Sequence, residues 1–164
     1  MANAYFAGGC FWCITPTFRQ WKGVENVVSG YSGGLEENPT YEAVKQQLTS
    51  HRETIQIAYD PAQVSFETLL EIFLGGVDPF DAGGQFIDRG HSYTLAVYYL
   101  DEAQKAAAEA AIRTLEAESG RPVFIAIEPF RNFYTAEEYH QNYDLKNPEA
   151  FRRELEESGR MKEE

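Results

Sequence analysis

Apolar residues recur at two different spacings along the chain. In some segments they recur every second residue, as in strands, and in others every three to four residues, as in helices. Alternation is clearest in the segment RETIQIAY at 52–59, where Ile55, Ile57 and Tyr59 share one face of a predicted strand. Strands and helices alternate, which predicts an α/β or α+β domain and leaves the order of the strands open. Shorter apolar runs predict further strands at 5–7, 24–30, 94–100 and 123–127. Helical spacing predicts one helix that begins between residues 11 and 15, and three others at 40–48, 65–74 and 102–119.

Capping signals mark several of the predicted helix ends. Asp101 is a favourable N-cap for the longest helix, and Gly120 is a typical stop signal behind it. Pro16 is tolerated in a first helical turn, so we expect the helix after the first strand to begin close to it. Thr135 and Glu138 have the spacing of a capping box, which predicts one more helix near the end of the chain.

Length, composition and charge limit what the protein can do. At 164 residues, of which 43% are apolar, the chain is expected to form one domain, 1–164, with a substantial core. The formal net charge of −12 repels phosphate backbones and anionic lipid surfaces, so nucleic acids and membranes are unfavourable partners. Acidic residues crowd the stretch at about 149–164, where we expect a solvated helix and tail. Because no signal-peptide pattern or membrane-spanning run is recognisable, a cytoplasmic location is expected.

The two cysteines of the chain, Cys10 and Cys13, lie three positions apart at or just before a predicted helix. Residues three apart in a helix have Cα atoms about 5 Å apart, which suits a disulfide, and a helix N-terminus stabilises a thiolate. In the cytosol such a pair is more often catalytic or metal-binding than structural. Two other interpretations stay open: plain core residues, and a zinc site with His51, His91 or His140, although these histidines lack the usual ligand spacing.

Glu53 is a carboxylate in an unexpected place. It has the same parity as Ile55 and Ile57 in the predicted strand, so its side chain is expected on the buried face unless the start of the strand turns it to solvent. Burial disfavours the charged form of a carboxyl and raises its pKa. An inward Glu53 is therefore a candidate general acid near neutral pH.

A series of short motifs, in order over about residues 5–148, resembles one protein family. Together they are similar to the A-type peptide methionine sulfoxide reductases, and they are far more specific than a lone C-x-x-C. The motifs are GCFW at 9–12, GYSGG at 30–34, NPTY at 38–41, His51-x-Glu53, YDP at 59–61, Asp78-Pro79, Gln85, Asp88-x-Gly90 and Tyr93, then Phe133-Tyr134 and EYHQ at 138–141. Several of them lie in a long loop at 75–92, and loops of that length are usually functional or disordered.

The resemblance implies a fold and an activity. The fold is an α+β two-layer sandwich with a ferredoxin-like mixed sheet, flanking helices and long loops. The activity is the reduction of methionine-(S)-sulfoxide, free or in proteins, to methionine, because each enzyme of this kind acts on one sulfoxide epimer. It implies no metal and no bound cofactor, and an external dithiol, thioredoxin, is the expected reductant and partner. We expect a monomer.

The same resemblance implies roles for the matching residues. Cys10 would attack the sulfoxide sulfur and become a sulfenic acid, which Cys13 would resolve as a Cys10–Cys13 disulfide. Glu53 would protonate the sulfoxide oxygen, and the hydroxyls of Tyr41 and Tyr93 would hold that oxygen.

The remaining implied roles concern substrate binding. Phe11 and Trp12 would line an apolar pocket for the substrate methyl group, although plain core packing is the alternative for both rings. Asp88 would position the substrate or order its loop. The chain departs from the family pattern at Cys13, where glycine is more common, and its C-terminal stretch has none of the resolving cysteines often found there.

Two other functions fit part of this pattern. A general thiol–disulfide oxidoreductase of thioredoxin type also has C-x-x-C on a helix after a strand, but it does not need Glu53, Tyr41 or Tyr93. A binding module that recognises oxidised methionine would need the pocket but would release no methionine.

Overall fold

The computed structural model describes residues 1–158, and its centre is a six-stranded sheet in the order β7-β6-β1-β3-β2-β8. Every neighbouring pair is antiparallel except β6 and β7, which are parallel. The strands are β1 Ala2–Gly8, β2 Val24–Ser32, β3 Arg52–Tyr59, β4 Gly84–Gln85, β5 Asp88–Arg89, β6 Leu95–Tyr99, β7 Ile125–Pro129 and β8 Tyr134–Thr135. The helices are α1 Phe11–Arg19, α2 Tyr41–Lys45, α3 Phe66–Gly75, α4 Glu102–Ser119, α5 Tyr143–Lys146 and α6 Pro148–Ser158. The expected α+β fold with a mixed sheet is confirmed.

The core lies between one face of the sheet and the helices. Ala4 and Phe6 of β1 point to this face, and the rings of Phe6 and Phe73 stack with centroids 4.9 Å apart, which joins β1 to α3. Their neighbours Tyr5 and Ala7 point to the other face, where Tyr5 contacts the ring of Phe130 at 4.3 Å. The alternation of side chains along β1 thus separates the helix layer from the thinner cover on the opposite face.

Local capping chemistry places several helices where the sequence predicts them. The Asp101 carboxylate accepts a hydrogen bond from the backbone N–H of Gln104 (2.8 Å), and Gly120 ends α4 in the left-handed conformation with φ of 68°. Thr40 and Ser65 cap α2 and α3 in the same way. Strand β3 has the bounds that its alternation predicts.

Other predicted boundaries were wrong. Tyr31, expected in a loop, lies within β2, which continues to Ser32. The helix expected at Thr135 is absent from the described chain, because Ala136 donates its backbone N–H to the Ser29 carbonyl (2.9 Å) and so holds the segment against the edge of the sheet as β8. A short 3₁₀ turn, Glu138–His140, takes the place of the expected helix and leads to α5.

The long loop at 75–92 is ordered by its own hydrogen bonds. Strands β4 and β5 form a small hairpin in it, and a 3₁₀ turn, His91–Tyr93, leads into β6. The buried amide of Gln85 accepts from the Asp78 N–H and donates to the Asp78 carbonyl, both at 2.8 Å.

At the other end of the described chain, α6 spans Pro148–Ser158 in the stretch where an acidic helix was expected, and residues 159–164 of the predicted tail lie outside the described residues. Within residues 1–158, no helix is both long and apolar enough to cross a membrane.

Candidate active site

Cys10 lies at the N-cap of α1, directly after β1. Gly9 makes the turn between them with φ of 84°, a value that glycine adopts without strain. The Cys10 carbonyl accepts a hydrogen bond from the Cys13 backbone N–H (3.1 Å), and the two side chains are also hydrogen-bonded. Both residues are thiols rather than a disulfide, with Cys10 half-buried and Cys13 only 9% exposed. The structure therefore brings together the two predicted redox residues.

The environment of Cys10 opposes the expected activation of its thiol. The hydrogen bond from Cys13, burial, and the negative charges of Glu53 and Asp88 all raise the pKa of Cys10. The position at a helix N-terminus favours the thiolate, but these groups outweigh it. A thiolate forms most readily here when Glu53 carries a proton, because a neutral carboxyl removes one of the nearby negative charges.

Glu53 points inward, as the parity of β3 predicts, and is 1% exposed. Its Oε1 accepts a hydrogen bond from the Phe11 backbone N–H (3.2 Å), while Oε2 has no hydrogen-bond partner among the described residues. Burial raises the pKa of Glu53 to about 8, even though the Phe11 N–H and the nearby Tyr93 hydroxyl act in the opposite direction. The side chain thus holds its proton at neutral pH and has one oxygen available to a ligand.

Tyr41 and Tyr93 complete the polar side of the site. Burial and the charge of Glu53 raise the pKa of both tyrosines, and the charge of Cys10 acts on both in the same direction. Their hydroxyls therefore stay protonated and can donate hydrogen bonds. Asp88, on β5, also lies close, since its charge contributes to the raised pKa of Glu53 and of Cys10. These four groups and Cys10 thus lie close enough to influence one another's pKa.

The two predicted pocket rings have different surroundings. Phe11 is 1% exposed and packs in the core, with its ring 5.1 Å from that of His140. Trp12 is half-buried; Tyr143 stacks on its indole at 3.9 Å, and the indole N–H donates to Nδ1 of His140 (2.9 Å). Trp12 therefore presents a fixed aromatic surface, whereas Phe11 is buried against His140, the residue that accepts the indole N–H.

His140 and Glu137 support the site, although the sequence suggested only a zinc-ligand role for His140 and no role for Glu137. Burial lowers the pKa of His140, so its ring is neutral and Nδ1 can accept the Trp12 N–H. Glu137 accepts from the Tyr31 hydroxyl (2.8 Å) and from the Tyr41 backbone N–H (3.0 Å), which fixes the start of α2. The EYHQ motif at 138–141, which contains His140, was the signal in the sequence that could have pointed to this part of the site.

Gln47 is a third residue that was missed. It has φ of 62°, unusual for a residue with a side chain. Its amide donates to the Ser92 hydroxyl (2.7 Å) and accepts from the Ser92 backbone N–H (3.0 Å), next to Tyr93. Gln47 thereby joins the segment after α2 to the turn that carries Tyr93.

The histidines proposed as zinc ligands have other partners. Nδ1 of His51 accepts from the Gly34 backbone N–H (3.1 Å), and its Nε2 lies 2.7 Å from the Glu36 carbonyl. Within residues 1–158, no group of three or more His, Cys, Asp or Glu side chains is placed to hold a metal ion.

Comparisons with known proteins identify the family of the chain. A sequence model for the family described as "Peptide methionine sulfoxide reductase" matches residues 2–163. The chain is 49% identical over 161 residues to "Peptide methionine sulfoxide reductase MsrA" of Bacillus velezensis, covering 96% of this chain and 90% of the relative. The reduced form of Mxr1 from Saccharomyces cerevisiae superposes with a TM-score of 0.85 at 28% identity, covering 90% of this chain and 86% of that one. Mxr1 in complex with Trx2 superposes with a TM-score of 0.59 at 19% identity, covering 87% and 84%.

Proposed function

The chain belongs to the A-type peptide methionine sulfoxide reductase family and is an oxidoreductase, and from this premise we propose how its residues reduce methionine sulfoxide. The substrate is methionine-(S)-sulfoxide, free or within a protein, since each enzyme of this kind acts on one epimer. One observation carries the proposal: the buried carboxyl of Glu53 has an unpartnered oxygen close to the Cys10 thiol at the start of α1.

In the first step, the Cys10 sulfur attacks the sulfoxide sulfur while Glu53 protonates the sulfoxide oxygen. With a pKa of about 8, Glu53 carries this proton at neutral pH and still releases it readily. The hydroxyls of Tyr41 and Tyr93 donate hydrogen bonds to the same oxygen as its negative charge grows. The oxygen ends on Cys10, which becomes a sulfenic acid, and the proton of the Cys10 thiol restores the Glu53 carboxyl. The sulfoxide is reduced to methionine by the two electrons that Cys10 loses, and methionine leaves.

Substrate binding follows from the surrounding rings. The indole of Trp12, held by Tyr143 and His140, offers an apolar surface to the substrate methyl group, and aromatic contacts of sulfur contribute about 0.3–1.5 kcal/mol each. Phe11 supports this surface and uses its backbone N–H to orient Glu53. Asp88 positions the substrate or orders the β4–β5 hairpin to which Asp88 itself belongs.

In the second step, Cys13 resolves the sulfenic acid. Its thiol condenses with the Cys10 sulfenic acid, water leaves, and a Cys10–Cys13 disulfide forms. The existing hydrogen bond between the two side chains means that little movement is needed. A protein dithiol of the thioredoxin class then regenerates both thiols; the Mxr1 structure in complex with Trx2 supports this choice of partner.

The direct test is a single-turnover assay with the separated sulfoxide epimers. We expect about one methionine per enzyme from the S epimer without any reductant, and sustained release once dithiothreitol is added. A general thiol–disulfide oxidoreductase, or a module that only binds oxidised methionine, would release none. Release from the R epimer alone, or from neither epimer, would contradict the proposal.

A further inference from the structure

A surface pocket of about 470 Å³ opens where β6 and β7 begin. Arg52, at the start of β3, lines it together with His91 and Thr94 from the segment that leads into β6. The other residues around it are apolar and include Phe124, which is 45% exposed. None of the described residues that line the pocket is acidic, although the whole chain has a net charge of −12. The pocket therefore suits a negatively charged ligand better than a positively charged one.

Arg52 is a cation held in a fixed position at this pocket. Its side chain is largely buried, and the whole residue is only 9% exposed. Its Nε donates to the Thr94 hydroxyl (2.8 Å), and its Nη1 donates to the Tyr98 hydroxyl (3.1 Å) and to the Glu128 carboxylate (3.0 Å). The third nitrogen, Nη2, has no hydrogen-bond partner among the described residues. Because a guanidinium does not deprotonate in proteins, Arg52 offers two charged N–H groups to a ligand.

The chemistry of the pocket fits a carboxylate on a short aliphatic side chain. A planar carboxylate matches the geometry of the guanidinium N–H groups. Glu128 already neutralises part of the Arg52 charge, so the pocket suits a singly charged group better than a phosphate. The apolar walls contact the methylene groups that carry the carboxylate. Aspartate and glutamate side chains have this combination of groups.

The pocket lies next to the substrate site. Arg52 directly precedes Glu53 on β3, and the two side chains point to opposite faces of the sheet. Thr94 directly follows Tyr93, and its hydroxyl donates to the His91 carbonyl (2.6 Å), which ties the lining of the pocket to the turn that carries Tyr93. An extended peptide advances about 3.3–3.6 Å per residue. A side chain a few residues from a bound methionine sulfoxide therefore reaches the pocket.

On the premise of the proposed function, we propose that this pocket binds an acidic side chain that lies a few residues from the oxidised methionine in a protein substrate. The carboxylate accepts hydrogen bonds from Nη2 of Arg52, and its methylene groups contact the apolar walls. The attraction acts at short range, because the net charge of −12 repels acidic segments at a distance and salt screens exposed charges beyond about 8 Å. The pocket thus selects among protein substrates and takes no part in the reduction itself.

Peptides with a single methionine-(S)-sulfoxide test this proposal. They are acetylated and amidated, so that their only carboxylate is one glutamate, which is placed at each flanking position in turn. Matched peptides carry glutamine instead, and dithiothreitol is the reductant. At the position that reaches the pocket, we expect kcat/KM to be roughly tenfold higher for the glutamate peptide, mostly through KM, which is the low end for a hydrogen bond to a charged group. Equal values at every position would overturn the inference, whereas no reduction of any peptide would instead count against the proposed function.

A negative charge placed at the rim of the pocket provides an independent test. Phe124 is exposed, and its backbone N–H, which donates to the Pro79 carbonyl (2.8 Å), remains after substitution. Phe124→Glu should abolish the preference for the glutamate peptide, because like charges repel. Leu100→Glu is the matched control, since Leu100 is also 45% exposed and lies beyond the other end of β6, roughly 20 Å away; there the preference should be unchanged. An unchanged preference in Phe124→Glu, or an equal loss in both variants, would contradict the proposal.

Arg52→Gln and a change of reductant complete the test. Glutamine lacks the charge, so the preference for the glutamate peptide should be lost at the same position. The preference is taken as the ratio of the two peptides within one variant, which cancels any loss of rate that both peptides share. A preference that persists in Arg52→Gln would contradict the proposal. An effect of Phe124→Glu that appears only when thioredoxin replaces dithiothreitol would assign the pocket to the reductant and would also overturn it.

Discussion

Replacing Glu53 by glutamine separates the catalytic role of this carboxyl from its effect on stability. The folded pKa of about 8 lies above the ordinary value of 4.5, so the folded protein binds this proton more tightly than the unfolded chain does. The stability that comes from the proton is fully present below about pH 4.5 and is lost as pH rises through about 8. A glutamine side chain at this position cannot titrate, so the variant would not show this loss.

The size of the effect follows from the two pKa values. A difference of one pKa unit corresponds to about 1.4 kcal/mol. Relative to low pH, burying Glu53 therefore costs the wild type roughly 3 kcal/mol at pH 7, where the folded protein must keep the carboxyl protonated, and close to 5 kcal/mol at pH 9, where the carboxyl ionises in the fold as well. Glutamine keeps the acceptor for the Phe11 N–H, but its amide nitrogen replaces the unpartnered Oε2, which offsets about 1–3 kcal/mol of the gain at every pH. The difference in unfolding free energy between variant and wild type should therefore grow by about 4 kcal/mol from pH 5 to pH 9.

Two assays check this prediction. Urea unfolding at pH 5, 7 and 9 gives the stability difference, with the exposed Glu71→Gln as a control that should not vary with pH in this way. Single-turnover methionine release should fall by roughly 10²–10⁴-fold in Glu53→Gln, as expected for a lost general acid. A stability difference that stays constant with pH would refute the buried, protonated Glu53, and a full rate at pH 7 would refute its role as the acid.

Three further substitutions test other parts of the site. Cys13→Ser should still give about one methionine per enzyme without reductant but turn over poorly with thioredoxin; normal thioredoxin-driven turnover would remove the resolving role. Tyr93→Phe should lower kcat/KM by roughly 10–100-fold, because a hydrogen bond to a charged group contributes about 1.5–3 kcal/mol. The control Tyr99→Phe, at the far end of β6, should leave kcat/KM unchanged. In Gln47→Asn, asparagine tolerates the left-handed backbone conformation, but its side chain is too short to reach Ser92, so kcat should fall while the thermal midpoint changes little. An unchanged kcat would show that the hydrogen bonds of Gln47 do not position the turn before β6.

The sequence predicted those features that depend on local chemistry. The bounds of α4 follow from the Asp101 cap and the Gly120 stop, and both act within a few residues of the helix ends. The inward position of Glu53 follows from the parity of one strand, because β3 is regular over its whole length. The roles proposed for the site residues came from the family resemblance.

Features that depend on distant partners could not be predicted in the same way. The capping-box spacing at Thr135 was misleading because the Ser29 carbonyl, on a strand far away in sequence, takes the Ala136 N–H and holds the segment on the sheet. The raised pKa of Cys10 depends on the Cys13 thiol, on burial, and then on the charges of Glu53 and Asp88, and spacing along the chain does not reveal the burial or the distant charges. The role of Gln47 depends on a backbone conformation that favours glycine.

The antiparallel pairing of β1 with both β3 and β6 bears on how the protein is made. The cysteines are made before β3 and β6, the two strands that pair with β1, and Trp12 and Tyr41 gain their supports only with Glu137 to Tyr143. Contacts so distant in sequence form late in folding. During synthesis the thiols therefore lack the surroundings that tune them, and we expect oxidants to reach them as ordinary cysteines until the segment at 137–143 has been made.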